Sequence, residues 1–101
     1  METLKWIQKW FVEQCDGDWE HGHGIRLETI DNPGWSVKIN VENTNVQETL
    51  FENINIGRTE TDWIHCKTEY DRERAGIYFV AYGGPENLEE ILTVFKAWVE
   101  Q

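Results

Sequence analysis

The sequence predicts an α+β fold: a five-stranded, mainly antiparallel meander sheet with an N-terminal and a C-terminal helix packed on one face, in the order α-β-β-β-β-β-α. Three observations predict it. Apolar residues recur at helical spacing near the two ends of the chain, with Leu4, Ile7 and Phe11 at one and Leu88, Ile91, Leu92, Phe95 and Val99 at the other. Between them, apolar and polar residues alternate with the period of two that a half-buried strand requires. The joints are short and mostly polar, which favours antiparallel neighbours over crossovers. Two amphipathic helices on one face leave the other face to water or to a partner.

Each element has its own signal. In the first helix, residues 4–14, Trp6 and Trp10 widen the apolar stripe, and Gly17 breaks the helix within Cys15-Asp16-Gly17-Asp18. The first strand, residues 23–30, sets Ile25, Leu27 and Thr29 against Arg26 and Glu28. Asp31-Asn32-Pro33-Gly34 then reads as a type II turn, with Pro33 presetting φ and Gly34 taking a positive φ. Trp35, Val37, Ile39 and Val41 alternate with polar neighbours in the second strand, which closes a hairpin. A third strand, residues 49–57, carries Leu50, Ile54 and Ile56, with Glu52 interrupting the row. The fourth, residues 62–70, sets Ile64, Cys66, Thr68 and Tyr70 against Trp63, His65, Lys67 and Glu69. The fifth, residues 76–82, is apolar on both faces and belongs in the centre of the sheet. Gly83-Gly84-Pro85 ends the sheet, Pro85 fits a first helical position, and Glu86, Glu89 and Glu90 favour the positive end of the last helix.

The length of 101 residues predicts a single domain over 1–101. Six Trp, three Tyr and four Phe supply enough buried area for a core without disulfides. The net charge of −10 weighs against nucleic acid and against anionic membranes, both of which are bound through Lys and Arg. It fits a cationic partner steered by the field, and equally an acidity kept for solubility. Two cysteines make no disulfide framework, and neither a secretory signal nor a membrane-spanning run is visible. The expectation is a cytoplasmic protein with reduced thiols.

Catalytic patterns are weak. The chain has no P-loop, dinucleotide fingerprint, nucleophile elbow or paired zinc-ligand motif. His21-Gly22-His23-Gly24 places two imidazoles at i and i+2, which on a strand share a face and can share a metal; a polar, glycine-rich strand entry reads the same way. His65 and Cys66 are neighbours on a strand and point to opposite faces, so they do not pair as base and nucleophile. Cys66 falls in the apolar row and reads as a structural thiol, while Cys15 heads a polar stretch with no following cation to lower its pKa. Asp16, Asp18 and Glu20 lack the ligand spacing of an EF-hand and read as a solvated or contact loop. Trp63 opposes the Ile64 face and is expected to be exposed, Trp35 is expected in the row of Val37, and Trp19 lies beside the acidic loop. No catalytic residue, metal or cofactor is assigned. The alternative reading is a small metal- or thiol-dependent enzyme using His21 and His23 or Cys66.

Leu4-Lys5-Trp6, the run Cys15-Asp16-Gly17-Asp18-Trp19-Glu20-His21, the run Asp31-Asn32-Pro33-Gly34-Trp35 and the Tyr82-Gly83-Gly84-Pro85 junction resemble the immunity protein 53 family of bacterial polymorphic toxin systems. The resemblance extends over nearly the whole chain. It implies a protein that binds a cognate toxin made by the same cell and blocks it, with no catalytic residues to carry over. Together with the charge, it predicts a basic toxin such as a nuclease, met through acidic and aromatic side chains. The expected toxin contacts are Asp16, Asp18, Trp19, Glu20, Glu60, Asp62, Trp63 and Glu69, on a chain that is a monomer or homodimer. A homo-oligomeric module pairing through its open sheet face or edges stands as a further reading.

Overall fold

Both terminal helices form where the apolar spacing places them. In the computed structural model, which describes residues 2–22 and 24–101, α1 spans Glu2–Gln14 and α3 spans Leu88–Glu100. Between them lie a short α2 (Trp19–Gly22) and the strands β1 (Ile25–Ile30), β2 (Gly34–Asn40), β3 (Ile54–Gly57), β4 (Trp63–Asp71) and β5 (Gly76–Gly83). The α+β class, the five strands and the terminal helices are as the sequence predicts.

The sheet is antiparallel at every joint, in the order β1-β2-β5-β4-β3. That order refines the meander. β1–β2 is a hairpin and β3–β4–β5 is a meander, but the chain after β2 crosses to the far edge before returning. The slot beside β2 goes to β5, whose residues are apolar on both faces and gain most from neighbours on both sides. Residues 49–53 are irregular rather than strand. Leu50, at 81% exposed, points to solvent, while Val46 and Phe51 are buried. Phe51 meets Phe79 and Trp98 edge-on, and the Trp98 indole N–H donates to the Leu50 carbonyl at 3.2 Å. A crossing segment held by its own aromatic packing needs no ladder.

The helices cover one face. Val37, Ile39, Ile64, Cys66, Phe79 and Ala81 of the sheet join Ile7 and Trp10 of α1 and Ile91, Leu92, Phe95 and Trp98 of α3 in one buried cluster. Phe95 is its hub, with ring centroids 5.0 Å from Trp10 and 5.1 Å from Phe79. α1 is rotated from the expected stripe: burial centres on Ile7 and Trp10, and Leu4 is 45% exposed.

Two backbone expectations are corrected. Gly34 does not take a positive φ. It is needed because a Cβ there would collide with the Gly83 carbonyl of the neighbouring strand. Pro85 sits in the turn before α3, and Asn87 occupies the N-cap position. Gly17, at φ +98°, does supply the break after α1.

Candidate functional site

The acidic loop after α1 is self-contained. The Asp16 carboxylate accepts the amides of Asp18 and Trp19, both at 2.9 Å, and so starts α2. Glu20 reaches back to accept the amides of Asp16 at 3.0 Å and Gly17 at 2.9 Å. The Trp19 and Asp18 amides hold the Asp16 carboxyl below the usual carboxylate range. The Glu20 carboxyl is lowered first by its own backbone amide and then by those of Asp16 and Gly17. Two of the expected contact carboxylates therefore build the loop.

Trp19 departs from its expected role as a surface anchor. It is 3% exposed, packed 5.9 Å from Trp10 and 5.7 Å from Phe11, and its indole N–H donates to the buried Asn40 side chain. An aromatic next to three carboxylates in sequence is here the plug beneath them. Asp18 remains exposed. His23 lies outside the described residues, so the His21 and His23 pair is not placed. Among the described residues, no cluster of His, Cys, Asp and Glu has a metal-binding arrangement.

The opposite end of the sheet holds Glu60 and Asp62, whereas Glu69 pairs with Tyr78 near the Asn40 end. Arg58 grips Glu90 with both terminal guanidinium nitrogens, at 3.0 and 2.6 Å, and bonds Asp62 at 2.9 Å. The buried Asn87 side chain donates to Asp62 at 3.0 Å and Glu90 at 3.1 Å, and accepts the Trp63 amide at 3.3 Å. The Asn87 amide and then Arg58 lower the Asp62 carboxyl, and Arg58 followed by Asn87 lowers that of Glu90. Arg58 is itself held firmly protonated by the two acids. This network locks the β3–β4 turn onto the start of α3.

Two carboxylates thus hold one guanidinium. Glu60, Glu86 and Glu89, close to these residues in sequence, are exposed. Two half-buried indoles lie at this end on opposite faces of the sheet: Trp63, whose ring stands edge-on 5.1 Å from His65 on the uncovered face, and Trp35, whose N–H donates to the Pro85 carbonyl at 3.0 Å on the helix-covered face. Glu60, Asp62 and Trp63 are therefore brought together. Glu69 lies farther along β4 beside Lys67, at 3.4 Å. The Asp16–Glu20 loop is remote, because Trp19 reaches the Asn40 end of β2 and Asn40 pairs with Tyr78 near the start of β5, whereas Trp63 adjoins Gly84 past its end. That separation is about 20 Å along β5 at ~3.3 Å per residue.

One row of the uncovered sheet face carries charge of the other sign. Arg26, Lys38, Val80 and Lys67 line up across four strands. Val80 is only 4% exposed, which fits lysine stems lying over it. The next row toward the acidic end holds Glu28, Ser36, Tyr82, His65 and Asn55. A basic stripe on a chain of net charge −10 emerges only when the strands are placed side by side. Cys66 sits on the helix-covered face, 2% exposed, and burial pushes its thiol up to about 12. Cys15 is exposed, its thiol raised chiefly by desolvation and by Glu20 and Asp16.

Among the described residues, no helix is long and apolar enough to cross a membrane. The family model for immunity protein 53 matches residues 4–100. Comparison with the curated proteins and with the solved structures returns no match.

Proposed function

The chain belongs to the immunity protein 53 family, and on that ground we propose that it binds a cognate toxin and neutralises it by direct contact, without chemistry of its own. The match over residues 4–100 is the observation that carries this role. The contact surface we assign is the acidic end of the sheet, around Glu60, Asp62, Glu86 and Trp63. Three features support it. Asp62 is held on a hydrogen-bonded frame, so little ordering entropy is lost there on binding. The Trp63 indole supplies the half-buried aromatic area that interface anchors use. The charge suits a basic toxin such as a nuclease, whose approach the field would accelerate.

The thiol-enzyme alternative loses its nucleophile, because a buried Cys66 with a raised pKa is neither accessible nor ionised near neutrality. A toxin gene is expected immediately upstream of this one, and binding to the toxin domain it encodes tests the proposal. Trp63→Ala should raise Kd by about 30-fold or more, the scale of an interface hot spot. Glu60→Ala and Glu86→Ala should slow association at low salt and lose that effect at high salt. Wild-type affinity and rates in all three variants would remove the assigned surface. A toxin domain that does not bind the wild-type chain would remove the role itself.

A further inference from the structure

The two edges of the sheet are unequal. β3, at one edge, has four residues and ends in glycine, whereas β1, at the other, has six and, among the described residues, pairs only with β2. The direction of β1's backbone groups follows from the ladder. The Asn40 amide donates to the Gly24 carbonyl at 2.9 Å, and Gly24 stands one step beyond the Ile25–Ile39 pair. Alternation then turns the N–H and C=O groups of Arg26, Glu28 and Ile30 inward to β2. Those of Ile25, Leu27 and Thr29 turn outward along the free edge. An edge of this length with no strand against it is a template for pairing.

Beside that edge lies an apolar groove of about 440 Å³ between α1 and β1, lined by Leu4, Ile7, Phe11, Val12, Ile25 and Leu27. Val12 is 67% exposed and Leu27 39%. The rotation of α1 toward Ile7 and Trp10 leaves Leu4 and Val12 exposed.

We propose that the β1 edge is self-complementary, and that two copies of this chain join there into one continuous sheet about a twofold axis at Leu27. Outward-facing residues must meet outward-facing residues, so only every second antiparallel register is open. Of these, the register centred on Leu27 sets Arg26 opposite Glu28 of the second copy, twice by symmetry. It also sets Leu27 on Leu27 and Ile25 on Thr29. The register centred on Arg26 opposes two guanidiniums, and the one centred on Glu28 opposes two carboxylates; both are disfavoured. In the Leu27 register the two apolar grooves lie side by side on the helix-covered face, so the same contact covers Val12 and Leu27. A symmetric contact of this kind closes on itself and leaves only the short β3 edges free.

Sedimentation of the full chain over a micromolar concentration series tests this without any toxin. The wild-type protein should approach twice the protomer mass of 12.0 kDa as concentration rises. Arg26→Glu and Glu28→Arg each turn two attractive pairs into repulsive ones, and each should weaken self-association by about tenfold. Both positions are exposed, so circular dichroism should be unchanged. Mixed together, the two variants regain opposite charges at both pairs and should form a heterodimer that neither forms alone. Amide exchange in the wild-type chain adds a readout free of mutation: Ile25, Leu27 and Thr29 should slow as concentration rises. The proposal is overturned by a wild-type chain that stays at 12.0 kDa, whether or not another protein pairs with β1. Single variants that associate as well as wild type, or a mixture that gains nothing, overturn it equally.

Discussion

The loop at residues 16–20 and the junction of residues 58–62 with 87–90 read alike in sequence: acidic side chains, a nearby tryptophan and turn residues. In the fold they differ in what holds the acids and in where the indole goes. Asp16 and Glu20 are satisfied by backbone amides of their own loop, and Trp19 is pressed into the core beneath them. Asp62 and Glu90 are satisfied by side chains from two separate elements, and Trp63 stays half outside. The difference teaches that carboxylate count is a poor guide to available charge. A carboxylate that caps its own loop is structural, and one fixed on a frame beside free neighbours belongs to a surface.

The largest effect that would break this contrast is on Trp19. Trp19→Ala should cost about 3–5 kcal/mol in urea unfolding, the range for emptying a large buried aromatic site, whereas Trp63→Ala should cost far less. Equal losses would mean that the two indoles play the same part. Glycine contacts come next. Gly84→Ala drives a Cβ into the Thr61 carbonyl that seats the junction, and should cost about 1–3 kcal/mol. Gly57→Ala meets open space and should be close to neutral in the same assay.

Arg58→Ala is smaller, because its ion pairs are substantially exposed. It should lower the urea midpoint, by less in high salt, and leave the Asp16–Glu20 loop unaffected. The smallest and most diagnostic effect is on acidification. The carboxyls of Asp16, Glu20, Asp62 and Glu90 have folded pKa values below their unfolded ones of about 4, so the folded state binds fewer protons. Their stabilisation is complete above the unfolded values and drains away as pH falls through the folded ones. Arg58→Ala should flatten the part contributed by Asp62 and Glu90, while Asp16→Asn should flatten only the loop's share. Stability that does not fall with pH in that range would sever the carboxylates from the fold.

The helices were legible because their apolar spacing is long and regular. Trp98 was missed although it stands three residues after Phe95 and seven after Ile91, on the same stripe. β5 was legible as a central strand because both its faces are apolar. The crossing before β3 was not, since Phe51 and Val46 bury themselves without a period. α2 is too short to leave a pattern, and the role of Gly34 needed a second strand beside it. In the candidate surface, Trp63 was readable from alternation alone. Its partners were not, because Arg58 and Glu90 lie 32 positions apart and Asp62 and Asn87 lie 25 apart.

The sequence by itself determined the α+β class, the terminal helices, the strand alternation, the acidity and the family, because each is written in local period, composition or a contiguous run. Only the tertiary structure decided which acids are spent on the backbone, which tryptophan is core, where Arg26, Lys38 and Lys67 fall into one row and which edge of the sheet is free. Those depend on register and on contacts between distant segments, and a one-residue shift in register would turn every side chain of a strand to the other face.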